Sequence, residues 1–380
     1  MSGANYFVPR QPAEPDVAEF GRQHARLGRP WLTRLVLAAV VLTAAAAALS
    51  AHSGSHRHGA PKAVTVNLIS GPVLGVRAGW DLFLRGPRDV VDVQFARGRV
   101  ITTAVPALVA MDPAVSFVVG PHEAIIHSID NTPGYEIPDG ASPRMLSGRL
   151  AGYGPLVPGP RTGQVWTLAG PTNDPDMELV SLAGRPVGPV IWLQRSGAVP
   201  QSAVADGRGY LMLMAAGGNT FDAGPTWYRR VRTLITAIGP TRWLGTTCPR
   251  SGLCREVVIN PHSGAARPLP GRAAAVDSSS LRPLGVVAPD GSSAAVLEPL
   301  HGHLTLLLLD LSTGTSSVLA VQPNQSGAQE TLAWSPDSTW LFVAAAGGRL
   351  VAVNARTGQA TGLGIKLPYV SQVVVRPAPA

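Results

Sequence analysis

The chain of 380 residues is poor in cysteine and in charged residues, and each shortage excludes a class of protein. Two cysteines are too few for a disulfide-stapled miniprotein or for a zinc or iron–sulfur site built from cysteine. Charged residues make up only 14% and hydrophobic residues 45%, which excludes a disordered chain and a charge-rich helical rod. The length is that of two or three domains, or of one large β domain.

Lysine is almost missing. Lys62 and Lys366 are the only two, so arginine supplies nearly all of the 31 basic residues that give the chain its formal charge of +8. A strongly basic chain can bind nucleic acid. Here, however, the arginines are scattered and form no dense basic run. We therefore predict no nucleic-acid partner.

An apolar segment of 21 residues, 31–51, contains Arg34 as its only charged residue. A helix needs about 20 residues to cross a bilayer, and an arginine near its end can reach the headgroups. We predict that residues 31–51 form a single transmembrane helix that is not cleaved. A signal peptide cleaved near Ala48–Ala51 and a buried helix are the alternatives. The long stretch that precedes the apolar core argues against the signal peptide.

Basic residues set the orientation of this segment, because the flank that is richer in arginine and lysine stays in the cytoplasm. The preceding flank is the richer one, with Arg22, Arg26 and Arg29 before the segment and Arg34 at its start, against Arg57 and Lys62 after it. We therefore predict a cell-membrane protein with one span. Residues 1–30 form a disordered cytoplasmic tail, 52–62 a flexible linker and 63–380 an extracytoplasmic domain.

Residues 63–380 show the pattern of an all-β domain. The chain has 42 glycines and 35 prolines, which leave little room for long helices. Apolar runs of four to eight residues recur, each ended by a turn residue. The runs are Asp81–Leu84, Phe117–Val119, Gln164–Leu168, Leu211–Met214, Glu256–Ile259, Leu304–Leu309 and Leu341–Ala344.

A repeat is visible near the C-terminus. Two units each carry a Pro-Asp turn, an apolar strand, a glycine hairpin, a second strand and a Thr-Gly turn. Their Thr-Gly pairs, Thr313-Gly314 and Thr357-Gly358, lie 44 residues apart. Such a unit makes a four-stranded sheet in which Asp310 or Asn354 ends the third strand.

The later unit contains Trp334-Ser335-Pro336-Asp337. It resembles the WD40-like repeat of the TolB-type bacterial β-propellers, although Ser338 stands where the family usually has glycine. The resemblance is good over 280–365 and fainter before. It implies a β-propeller, and at about 45 residues per blade residues 63–380 hold about seven four-stranded blades.

Cys248 and Cys254 bracket five residues between two apolar runs. In a hairpin their side chains face each other, and outside the cytoplasm such a pair oxidises. We predict a disulfide, with two free thiols as the alternative.

Four further clusters are candidate sites. The linker histidines can ligate a metal, the acidic run 173–178 can bind calcium, and the run 227–232 puts two arginines on one strand face. We interpret them instead as a tether, an ordinary turn and an exposed blade edge, and His301-Gly302-His303 as a hairpin. No metal or cofactor is predicted. The linker histidines are His52, His56 and His58.

No nucleophile elbow, zinc-protease motif or P-loop occurs in the sequence. We predict a binding or scaffold module that recognises a protein or another component of the cell envelope through loops of the propeller. The alternatives are a propeller hydrolase or oxidoreductase with a site at the axial channel, and a sensory module linked to the cytoplasmic tail.

Overall fold

A computed structural model of the chain describes most of the predicted β domain. The described residues are 63–69, 73–76, 79–105, 115–128, 133–152, 154, 156–159, 161–169, 176–192, 200–205, 211–215, 220–222, 227–228, 233–238, 242–247, 255–260, 263–269, 285–300, 303–324 and 331–376. They belong to one compact unit, Ala60–Ala380. Residues 31–51 lie outside them. Within them, no helix is long and apolar enough to span a bilayer.

In the described part of the chain, twenty-nine strands form seven antiparallel sheets. The first, here called the closing sheet, consists of β1 (Ala63–Leu68), β2 (Asp81–Arg85), β3 (Asp89–Gln94), β4 (Arg99–Ala104) and β29 (Gln372–Arg376). The second contains β5 (Val115–Val119), β6 (Glu123–Ser128), β7 (Tyr135–Pro138) and β8 (Arg144–Met145). The third contains β9 (Val157–Pro158), β10 (Gln164–Ala169), β11 (Asp176–Ser181) and β12 (Pro186–Trp192).

The remaining four sheets follow in chain order. The fourth contains β13 (Pro200–Ala205), β14 (Leu211–Ala215), β15 (Thr220–Asp222) and β16 (Trp227–Tyr228), and the fifth β17 (Thr233–Ala237), β18 (Trp243–Thr247), β19 (Arg255–Ile259) and β20 (Ala266–Pro268). The sixth contains β21 (Gly285–Val287), β22 (Ser293–Leu300), β23 (His303–Asp310) and β24 (Ser316–Val318), and the seventh β25 (Leu332–Trp334), β26 (Trp340–Ala345), β27 (Arg349–Asn354) and β28 (Ala360–Gly362).

The sheets stack face to face around a ring, as in a propeller. The inner strands β17, β21, β25, β29, β5, β9 and β13 contact one another in that order. Within the described residues, apolar clusters join five pairs of neighbouring sheets; one of them joins Phe342 and Ala344 of the seventh sheet to Leu84 and Val91 of the closing sheet. Where both faces of a sheet are covered in this way, its middle strands are apolar throughout rather than alternating. The all-β propeller prediction is confirmed, and each of the seven apolar runs lies in a strand.

The predicted number of about seven four-stranded blades is corrected. The described residues contain six four-stranded sheets, and the closing sheet has five strands because both ends of the domain join it. The C-terminal strand β29 pairs with β2 from Asp81↔Arg376 to Arg85↔Gln372, and the N-terminal strand β1 pairs with β4 on the outside. The innermost strand of this sheet is therefore supplied by the C-terminal end of the domain, which pairs with its N-terminal part.

Three turns at one end of the ring, here called the turn end, share one hydrogen-bond pattern. An Asn or Asp ends the third strand, and its side chain accepts backbone N–H groups two or three residues later, as in Asp310 with Ser312 (2.8 Å) and Thr313 (3.0 Å). The residue four positions on is a glycine with positive φ that donates to the Asn or Asp carbonyl. The three turns are Asn260–Gly264, Asp310–Gly314 and Asn354–Gly358. The predicted roles of Asp310, Asn354 and the Thr-Gly pairs are confirmed.

The Trp334-Ser335-Pro336-Asp337 turn also lies at the turn end, between β25 and β26. The Ser335 hydroxyl donates to the Asp337 carboxylate at 2.5 Å and accepts the Trp340 N–H at 2.9 Å. Ser338 adopts a φ of 59°, the left-handed conformation that favours the glycine of the family. Its hydroxyl accepts the Asp290 N–H of the sixth sheet at 3.1 Å, which ties two neighbouring sheets together.

Ring closure by β29 predicts that a chain ending at Val370 is strongly destabilised. Such a chain loses an inner strand and exposes the edge of β2, so we expect the free energy of unfolding to fall by more than about 4 kcal/mol. A chain ending at Arg376 keeps β29 and is the matched control. Urea denaturation of both chains measures the difference. Equal stability would refute closure by β29.

Candidate ligand-binding site

The predicted disulfide lies outside the described residues, as do the three linker histidines. The pairs nearest to the cysteines are nevertheless in register: Trp243 to Thr247 of β18 pair with Ile259 to Arg255 of β19, and Thr247↔Arg255 is the last pair. Cys248 and Cys254 are the next residues in sequence on either side. The hairpin that the prediction requires is therefore present up to that pair, and the disulfide stays a prediction.

The acidic run 173–178 is not one turn, which corrects the sequence interpretation. Asp176 and Glu178 belong to β11. Glu178 is buried, and its carboxylate accepts a hydrogen bond from Arg149 Nε at 2.7 Å. Because Glu178 lies in a strand and not in a turn, its carboxylate points at Arg149.

The two remaining clusters are placed as ordinary elements of the sheets. Leu300 pairs with His303, so only two residues connect β22 to β23, and the predicted hairpin is confirmed. Trp227 and Tyr228 form β16, the outer edge of the fourth sheet, as predicted for the start of the run 227–232. Among the residues that the structure describes, no group of His, Cys, Asp and Glu is arranged to hold a metal ion.

A buried arginine at the end of β29 joins the closing sheet to the second sheet. Arg376 Nη1 donates to the Asp139 carboxylate at 2.8 and 2.9 Å and to the Pro121 carbonyl at 3.2 Å, while Nη2 donates to Asp81 at 2.6 Å. The guanidinium also lies 4.5 Å from the ring centroid of Phe83. Its side chain is only 8% exposed, so these contacts replace water.

Asp92 is the third carboxylate of this Arg376 cluster. It lies 4.0 Å from Arg376 Nη2, accepts a hydrogen bond from Gln94 Nε2 at 2.6 Å and is buried. Burial and the nearby negative charge of Asp81 raise the pKa of Asp92 to about 7, although Gln94 and Arg376 act in the opposite direction. The arginine, already engaged by Asp81 and Asp139, does not compensate for the loss of water around Asp92. The Arg376 cluster is therefore a structural junction that is sensitive to pH.

A cavity of about 500 Å³ opens at the turn end, between the fifth and sixth sheets. It is bordered by Ile238 and Arg242 between β17 and β18, by Asn260 after β19 and by Leu311 after β23. Its lining combines apolar side chains, two arginines and polar backbone, and no acidic residue belongs to the lining that the structure describes. The lining residues are Ile238, Arg242, Val258, Asn260, Ala265, Ala266, Arg267 and Leu311.

Sequence reasoning did not identify this cavity. Its two arginines are 25 residues apart and look like two more members of a scattered set. A signal was available in the repeat. Arg267 stands three residues after the turn glycine Gly264, where the sixth and seventh sheets have Ser317 and Thr361. Aligning the three Asn/Asp turns would have marked Arg267 as a departure from the repeat.

Comparison with known proteins identifies the class of fold. No family model matches the chain, and no curated protein is similar to it. Among solved structures, a putative 6-phosphogluconolactonase from Bacteroides uniformis is 12% identical with a TM-score of 0.51, covering 78% of this chain and 100% of its own. A functionally unknown protein from Desulfotomaculum acetoxidans is 14% identical with a TM-score of 0.50, covering 80% and 100%.

TolB from Acinetobacter baumannii is 14% identical with a TM-score of 0.43, and the match covers 78% of this chain and 66% of TolB. At such low identity the two likenesses with a TM-score of 0.50 or more establish the fold alone, and the likeness to TolB carries no argument. The chain has the all-β propeller fold that the Trp-Ser-Pro-Asp resemblance implied.

The raised pKa of Asp92 predicts how stability depends on pH. A carboxyl whose pKa is higher in the folded state binds its proton more tightly there, so stability falls as the pH rises from about 4 to about 7, by at most about 1.4 kcal/mol per pH unit. Asp92→Asn removes this loss. We expect the variant to be more stable than the native chain at pH 7.5 and similar to it at pH 4.

Urea denaturation of residues 60–380 across this pH range measures both chains. Asp310→Asn is the matched control, because asparagine occupies the same turn position at Asn260 and Asn354. The pKa of Asp310 is lowered by its hydrogen bonds, so its contribution to the pH dependence of stability falls at lower pH than that of Asp92. An unchanged pH profile in Asp92→Asn would contradict the assignment.

Proposed function

We propose that the chain is an extracytoplasmic binding module, held at the cell membrane by residues 31–51, that recognises a ligand or an envelope protein at the turn end of a closed propeller. The observation that carries this proposal is the cavity between the fifth and sixth sheets. It combines apolar surface with a few polar groups on a rigid scaffold, which is the usual composition of a binding site.

The rigidity of the ring supports the same proposal. Apolar clusters join neighbouring sheets, and cross-sheet hydrogen bonds such as Trp334 Nε1 to the Val286 carbonyl at 3.1 Å fix their relative positions. The turns that border the cavity are held by their own Asn and Asp side chains. A surface fixed in this way loses little conformational entropy when it binds a partner.

The propeller enzyme with a site at the axial channel remains the alternative. A putative lactonase among the solved structures shares the fold, and one fold supports many functions, so the likeness does not assign an activity.

The function is tested by photo-crosslinking the full chain in intact cells, with the probe placed in the turn end at Gln359 and, as a control, on β8 at Met145, which is exposed. We expect one envelope component to be crosslinked from the turn end and not from β8. Equal labelling from both positions, or turnover of a lactone by the purified chain that a point change at the axial channel abolishes without unfolding, would refute the binding module.

The extracytoplasmic location is tested by the cysteines and by fractionation. We expect the intact chain in the membrane fraction, and mass mapping without reduction should find Cys248 and Cys254 in one linked peptide, since thiols outside the cytoplasm oxidise. Labelling of both thiols in freshly lysed cells would contradict the location. A soluble product that starts near His52 would instead indicate cleavage.

A further inference from the structure

We infer that the cavity between the fifth and sixth sheets binds a small organic anion, in which a carboxylate or phosphate group contacts Arg242 and Arg267 and an apolar part contacts the floor. The inference rests on the proposed function, because it names the class of ligand for the same site.

Arg242 and Arg267 both differ from the residues at the corresponding positions of the next two sheets, and both line the same cavity. Arg267 pairs with Val258 in the ladder, and the equivalent pairs in the next two sheets are Leu308↔Ser317 and Ala352↔Thr361. The fifth sheet therefore carries a guanidinium where both of the next sheets carry a small hydroxyl residue.

Arg242 departs from the repeat in the same manner. Its carbonyl accepts the Ile238 N–H at 2.8 Å, and the corresponding bonds, across turns that are one residue longer, join Ala288 to Ser293 and Ser335 to Trp340. Neither of those sheets has a charged residue at this position. The ladder around Arg267 forms in the next two sheets without a cation, and the turns that correspond to the one ending at Arg242, although one residue longer, also carry none.

Arg242 is directed at the gap between the two sheets. Its Nη2 atom lies 3.5 Å from the point that a side-chain carbon on Gly291, in the β21–β22 turn of the sixth sheet, would occupy. Gly291 has a φ of 69° and no side chain, so the guanidinium extends along the sixth sheet beside the cavity. Arg267 borders the same cavity from β20.

Within the described part of the chain, the guanidiniums of Arg242 and Arg267 have no carboxylate within ion-pair distance. The carboxylate of Asp290, on the neighbouring turn, accepts the Ser292 N–H at 3.0 Å and its hydroxyl at 2.8 Å. Asp310 is engaged similarly by Ser312 and Thr313. Two guanidiniums without a carboxylate partner favour an oxyanion, which they bind through paired N–H groups.

The remaining lining and the volume restrict the ligand further. Ile238, Val258 and Leu311 supply an apolar floor, and the volume of about 500 Å³ is that of a small-molecule site. Ile238 and Leu311 are only 7% and 5% exposed, so a ligand contacts their accessible edges and the half-buried Val258. An anion with an aromatic or aliphatic part uses both the charge and the apolar surface.

The experiment measures binding to the full chain in detergent by isothermal titration calorimetry, with phenyl phosphate, benzoate, inorganic phosphate and benzyl alcohol as probes. We expect one of the two organic anions to saturate a single site, and which one does so distinguishes a phosphate from a carboxylate ligand. Inorganic phosphate, without the apolar part, and benzyl alcohol, without the charge, should bind at least tenfold more weakly.

Arginine variants locate the binding. Arg242→Gln and Arg267→Gln should each weaken binding of the organic anion roughly tenfold, since a hydrogen bond to a charged group is lost. Arg356→Gln changes an exposed arginine of the turn after β27, at the same end of the ring, and should leave the affinity unchanged. Unchanged thermal unfolding in all three variants confirms that the ring is intact.

Three outcomes would overturn the inference: no saturable binding of either organic anion, equal binding of benzyl alcohol, or an equal loss of affinity in Arg356→Gln. Crosslinking of an envelope component from the turn end would then still support the binding module. If the anions bind as expected and crosslinking fails, the anion site stands and the envelope partner does not.

Discussion

The pairing of β29 with β2 is the interaction on which the rest of the structure depends. Every other inner strand is followed directly by the strand it pairs with, whereas this pair joins residues nearly 300 positions apart. Each sheet covers its faces only by packing against two neighbours, so one missing inner strand exposes apolar surface on both sides. The cost of closing so long a loop rises only slowly with its length, and the buried contacts of Val370 and Val373 offset it.

The Arg376 cluster fixes the register in which β29 pairs with β2, and it does so at an energetic cost. Packing alone would allow β29 to slip along β2, but a buried arginine must meet its carboxylates, and Asp81 and Asp139 lie within reach in one register only. The same cluster holds Asp92, whose raised pKa indicates that the folded state disfavours its charge. A buried ionic group that is partly destabilising and yet fixes a register is a known compromise in proteins.

The sequence predicted those parts of the fold that depend on local chemistry. Asp310 and Asn354 specify their turns because a short oxygen-bearing side chain binds the backbone that follows it, and the apolar runs specify middle strands because both faces are buried. The five strands of the closing sheet were not predictable in this way, since β1 and β29 are ordinary apolar runs, and β29 pairs with a strand nearly 300 residues away whereas β1 adds to the outer edge at β4. Ser338 illustrates the same limit: its positive φ is local, but the Asp290 contact that uses its hydroxyl comes from another sheet.

The residues that line the cavity show the same difference between positions that the repeat constrains and positions that it does not. A repeat constrains the residues that form turns and cores, and it leaves a position such as 267 free, because the same ladder forms with serine or threonine there. Residues at free positions in one sheet come together with the neighbouring sheet only after the ring has closed. A chemical site in such a fold is therefore best sought where one repeat departs from its neighbours at two positions that face the same gap. The fifth sheet meets this condition with two arginines, and no contact within the described sheets accounts for their charge.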